Sequence, residues 1–111
     1  MVRTKYLAEF TEAFEHTLGE LAPREGNVLR LYFLDGLPAP DIGLLYKVSA
    51  RTVQRWIAET RQKILDRTYR RLRQRLKLSE TEVLALVALV ESQVDVSITR
   101  YLSRHEPGSP G

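Results

Sequence analysis

Asp41-Ile42-Gly43-Leu44-Leu45-Tyr46-Lys47-Val48-Ser49-Ala50-Arg51-Thr52-Val53-Gln54-Arg55-Trp56-Ile57 decides the fold. Two apolar periods of helical spacing flank three residues that suit a tight turn. Ile42, Leu45 and Tyr46 make the inward side of a short helix over about 40–46, with Pro40 at its start. Val53, Ile57, Ile64, Leu65, Leu72 and Leu76 set the period of a second helix from about residue 50. Between them lie Lys47-Val48-Ser49, and Ser49 can cap the second helix. Gly43 costs about 1 kcal/mol against Ala inside a helix, so a close approach by a neighbouring helix is expected there. A short helix, a turn and a second helix over 40–63 have the spacing of a helix-turn-helix, whose second helix enters the DNA major groove. With Val53 and Ile57 facing a core, Arg51, Thr52, Gln54 and Arg55 point outward. Arginine can bond a guanine edge bidentately and glutamine an adenine. A plain helical hairpin with a polar outer face carries the same pattern, and spacing alone leaves both readings open.

Outward from this stretch the chain reads as helices. Leu7, Phe10, Phe14 and Leu18, flanked by Tyr6 and Ala13, form the apolar stripe of a helix over about 4–18 that ends near Gly19. Glu9, Glu12 and Glu15 lie off that stripe. Pro23 opens the next helix, with Glu25 at its positive end. Val28, Leu29, Leu31, Tyr32 and Phe33 make its apolar face broad, which predicts a largely buried helix stopped by Asp35-Gly36. The helix from residue 50 either continues unbroken or breaks near Asp66–Thr68. Ser79-Glu80-Thr81-Glu82 is a capping box. The helix it starts runs to about Leu102, and its opening, Val83 to Val90, is apolar all round. Burial on more than one side is expected for such a helix. Residues 105–111 read as a disordered tail. No run alternates long enough for a strand. The expected fold class is all-α: a compact helical domain with a helix-turn-helix and a C-terminal helical extension.

Composition narrows function. The chain has 111 residues, 43% hydrophobic and 28% charged, enough for one modest core. It has no cysteine and two histidines far apart, which predicts no disulfide, no cysteine nucleophile and no metal site. No nucleophile–base set or phosphate loop is recognisable, so neither an enzyme nor a cofactor is expected. No signal peptide or membrane-spanning run is legible, which predicts a cytoplasmic protein without membrane attachment. The net charge of +3 conceals an asymmetry. Residues 51–77 carry ten Lys/Arg against Glu59 and Asp66, a net +8, while both flanks are acidic. Such a block is either a solvated helix face or a phosphate-binding stripe.

The ordered motifs add specificity. Leu21-Ala22-Pro23-Arg24-Glu25-Gly26-Asn27-Val28-Leu29-Arg30-Leu31 resembles the opening of region four in bacterial RNA polymerase sigma factors. Asp35-Gly36-Leu37 resembles the glycine-containing loop that follows there. Asp41 to Ser49 is similar to the family's acidic-Ile-small segment and turn. Arg51-Thr52-Val53-Gln54-Arg55-Trp56-Ile57 resembles its recognition helix, and Arg61-Gln62-Lys63-Ile64-Leu65 its basic end. The resemblance is close over 21–65, extends back to about residue 5, and is nearest to the extracytoplasmic-function-like sigma factors. Three departures stand out. Ala22 occupies a position where the family often has Ser or Thr, Lys47 replaces the usual turn glycine, and Trp56 stands where Arg is frequent. A complete sigma factor also has region two, for which 111 residues leave no room. The resemblance therefore implies either part of such a protein or a free-standing relative.

Carried over, the resemblance implies recognition of the −35 promoter element in double-stranded DNA and docking on the flap of the β subunit of core RNA polymerase. An anti-sigma factor is a further implied partner. Arg51 and Arg55 would read bases, Thr52 and Gln54 would contact phosphate or a base edge, and Lys47, Ser49 and Arg61 would hold phosphates. Arg24 is a weaker phosphate candidate, and Trp56 either stacks on sugar or joins the core. The implied organisation is a region-four-like helix-turn-helix domain over 1–78, a helix over 79–104 that packs on it or on a partner, and the tail. The basic run Arg67, Arg70, Arg71, Arg73 and Arg75 either contacts flanking DNA or is solvated. Two other functions fit the same helices. One is a free-standing helix-turn-helix regulator of the response-regulator output class. The other is an interaction protein that sequesters a transcription partner.

Overall fold

The computed structural model describes residues 2–104 of the chain, and the side chains of residues 8–104. The expected tail and the side chains of Tyr6 and Leu7 lie outside the described residues. The elements are α1 (Val2–Gly19), α2 (Pro23–Leu29), a π-helical turn (Arg30–Leu34), α3 (Ala39–Tyr46), α4 (Ala50–Arg75) and α5 (Glu80–Arg104). No strand occurs among the described residues, and the fold is all-α.

The chain divides into two compact units, each continuous with the other through α4 and α5. Among the described residues, one comprises 2–21 and 60–94, the other 22–59 and 95–104. In the first, α1 buries Phe10, Ala13, Phe14, Thr17 and Leu18. The rings of Phe10 and Phe14 stack 5.4 Å apart. The buried Thr17 hydroxyl is satisfied by donating to the Ala13 carbonyl at 2.9 Å. The second half of α4 contributes Ile64, Leu65, Thr68 and Leu72, Leu76 follows just past its end, and the first half of α5 contributes Leu86, Val90 and Val94. The capping box works as read. Ser79 N–H donates to the Glu82 carboxylate at 3.0 Å, and Glu82 N–H donates to Ser79 Oγ at 3.3 Å.

In the second unit, Val28, Ala39, Ile42 and Val53 form the buried cluster, with Leu31, Leu37, Tyr46, Val48, Trp56 and Ile57 packed on it. This is the core that fixes α3 against the start of α4.

Four expectations are corrected. The helix from Pro23 does not run regularly to Asp35: after Leu29 it widens, and Asp35 N–H donates to the Arg30 carbonyl five residues back at 3.0 Å. The wider turn takes that face out of register. Val28 and Leu29 are buried, whereas Tyr32 is 42% exposed and lies edge-on to Phe33. Gly36 does close the segment in the left-handed region, φ 72°. Leu45, expected inward, is 64% exposed and Leu44 80% exposed. Over two turns only Ala39, Ile42, Gly43 and, in part, Tyr46 share the inner side, and Leu45 falls on the flank. The neighbour of Gly43 is not another helix but the turn itself: a Cβ there would lie 2.6 Å from the Val48 carbonyl oxygen. Finally, α5 is not buried on several sides. It buries one stripe, Leu86, Val90, Val94, Ile98 and Leu102, spaced by four, and leaves Leu84 72% exposed. The open question about α4 is answered by one unbroken helix, about 39 Å long at 1.5 Å per residue.

Candidate nucleic-acid interface

The turn between α3 and α4 is built by three residues. Lys47 takes the left-handed conformation, φ 58° and ψ 45°. The N–H groups of Lys47 and Val48 both turn back to the Gly43 carbonyl, the latter at 2.9 Å. This is the C-cap in which the family usually places glycine, and a β-carbon there costs roughly 1 kcal/mol. Ser49 then caps α4: its Oγ accepts from Thr52 N–H at 3.1 Å, and its carbonyl accepts from Val53 N–H at 3.2 Å. The Ser49 hydroxyl proton is donated to Thr52 Oγ1 at 3.1 Å. In this pair one hydroxyl proton bridges the two oxygens and the other is left for a further acceptor.

Val53 is fully buried and Ile57 partly buried, which turns the opposite side of the first two turns of α4 outward. Arg51, Gln54 and Arg55 are exposed there, beside exposed Lys47 and Ser49 and half-buried Thr52. Six of the seven residues singled out in the sequence thus come together on the turn and the start of α4. Arg61 belongs to the other unit and is half-buried, with an interaction of its own.

Trp56 packs on the core, edge-on to Tyr46 at 5.7 Å. The Arg24 guanidinium lies 4.4 Å from the centre of the indole, a cation–π contact. Trp56 therefore has the core role, and Arg24 covers it. At the start of α2, Ala22 has no side-chain acceptor, and only half a box forms: Ala22 N–H donates to the Glu25 carboxylate at 2.9 Å. The exposed pair Leu44–Leu45 was invisible in the sequence, because an amphipathic pattern draws apolar residues inward on paper. Among the described residues, no group of three His, Cys, Asp or Glu is placed to hold a metal ion. No helix among them is long and apolar enough to cross a membrane.

The family model for sigma-70 region 4 matches residues 11–64. Residues 11–64 are a sigma-70 region 4 domain. The matched span contains the helix-turn-helix, α3 to the start of α4, that the geometry isolates. Sigma-70 region 4 domains bind promoter DNA and RNA polymerase, so a DNA-binding role in sigma-factor-like transcription initiation follows for the region 4 span. Most of the basic second half of α4, and all of α5, lie beyond it. No curated protein and no solved structure matches the chain.

Proposed function

We propose that this region 4 domain recognises the −35 element of a promoter and docks on the flap of the RNA polymerase β subunit. The reading rests on one observation above all. The Lys47–Ser49 turn and the buried Val53 leave Arg51, Gln54 and Arg55 exposed on the first two turns of α4. Those are the positions from which a recognition helix meets base edges. Arg51 and Arg55 read guanine edges, Gln54 an adenine edge or a phosphate, and Thr52 donates to a phosphate or base acceptor. Lys47 holds a phosphate as a point charge. Ser49 acts through its cap, by fixing Thr52. Arg61, already engaged, is the least available phosphate contact of the set. Residues 1–78 act as the DNA-binding domain and 79–104 as an appended helix. The protein works in the cytoplasm, and an anti-sigma factor is its natural regulator. A selection of bound duplexes from a random pool tests this: a single enriched motif of a few base pairs supports the reading, and an unenriched pool contradicts it.

A further inference from the structure

The arginines of α4 beyond the region 4 match divide into two sets. Arg75 holds carboxylates of α1, Glu12 at 2.8 Å and Glu9 at 3.3 Å, and Arg71 Nη2 reaches Glu20, in the turn just after α1, at 2.7 Å. One side of the helix is thereby committed to an acidic helix of its own chain. Arg67, Arg70 and Arg73, at successive intervals of three, remain exposed. Among the described residues none of the three makes an ion pair as close as those of Arg71 and Arg75, although the charge of Arg67 also acts on Glu20. Two shallow depressions meet at Arg70, one shared with Glu20, Arg67, Arg71 and Gln74, the other with Asp66, Tyr69, Arg73 and Gln74. Tyr69 is half-buried and lies under Arg73, whose guanidinium is 6.0 Å from the ring centre. The neighbouring carboxylate, Asp66, accepts a hydrogen bond from Gln62 at 2.9 Å.

We propose that this outer face of α4 docks an acidic helical segment of a protein partner. The chain itself supplies the precedent: Glu9 and Glu12, three apart on α1, meet one arginine of the same helix in direct hydrogen bonds. An acidic helix with carboxylates three and four apart presents the same spacing to Arg67, Arg70 and Arg73. Arginine around a partly buried tyrosine is also the composition of protein interfaces. Duplex DNA is the competing occupant, since the ladder continues the helix that begins in the region 4 domain, and the test separates the two.

The test uses the full chain and two fluorescein-labelled, alanine-rich helical peptides. One carries glutamates at every third and fourth position, and the other carries glutamines there. Anisotropy at low salt should show the glutamate peptide binding and the glutamine peptide not. The exposed triple variant Arg67→Ala, Arg70→Ala, Arg73→Ala should weaken the glutamate peptide about tenfold, at roughly twofold per exposed ion pair. The single variant Arg70→Glu should weaken it comparably, and its helical circular dichroism should match the parent. Affinity for a mixed-sequence duplex should stay within about twofold in both variants. No binding of the glutamate peptide, or binding that the variants leave unchanged, overturns the proposal. So does a loss of duplex affinity in step with the loss of peptide, which would assign the ladder to DNA.

Discussion

At the residue scale, the turn trades stability for position. Gly43 is required because the Val48 carbonyl occupies the space of a β-carbon. Gly43→Ala should therefore cost about 1–3 kcal/mol, as overpacking does. The loss is read from the urea midpoint, and an unchanged midpoint would mean that the turn yields freely. Lys47 is the opposite case, a non-glycine residue held at φ 58°. Lys47→Gly should raise stability by roughly 0.5–1 kcal/mol through relief of the left-handed strain. The same change should lower affinity for every duplex alike, because a phosphate contact has gone. A variant that melts higher and still binds as tightly would show that Lys47 contributes no contact. Both features were legible in sequence, since a helical glycine and a lysine in a glycine's place are each conspicuous. The identity of the atom near Gly43 was not, because the path of a turn is not written in side-chain periodicity.

At the element scale, α1 and the turn that follows it are tied to α4 by carboxylates whose affinity for protons has changed. The hydrogen bond from Arg75, and then its charge, hold Glu12 below the ordinary value of 4.5, and Arg71 does the same for Glu20. A lowered carboxyl pKa adds stability above the unfolded value and loses it as pH falls through the folded one. The melting temperature should therefore hold from neutral pH down to about 4.5 and decline below it. Both groups are exposed, so the decline is shallow. Arg75→Ala should flatten it, measured by circular dichroism melts across pH 7 to 3, and an equally steep decline in that variant would contradict the assignment. Sequence placed Glu9 and Glu12 off the apolar stripe but could not pair them, because their partner lies more than sixty positions away. The π-helical turn escaped for a different reason. Its i→i+5 bond is a backbone event, and Arg30–Leu34 carry ordinary helical side chains. Leu84 escaped too: an apolar run cannot say which of its members the fold leaves outside.

At the scale of the molecule, charge and recognition divide the chain. The +8 block of residues 51–77 begins in the exposed face of the region 4 domain and continues into arginines that α1 and the turn after it partly neutralise. With about three phosphates neutralised from the turn and the start of α4, log affinity for duplex should fall with log salt at a slope of roughly −3. A slope near zero in the same titration would remove electrostatics from the account. Monomeric sedimentation with binding to a single site separates the promoter reading from a regulator that pairs on a palindrome. The most direct measurement compares Arg51→Ala and Arg55→Ala with the parent chain, on the selected duplex and on its scrambled counterpart at one salt concentration. Each change should cost roughly 1–3 kcal/mol on the selected duplex, little on the scrambled one, and relax preference at one base pair. Equal losses on both duplexes would contradict base reading by the start of α4.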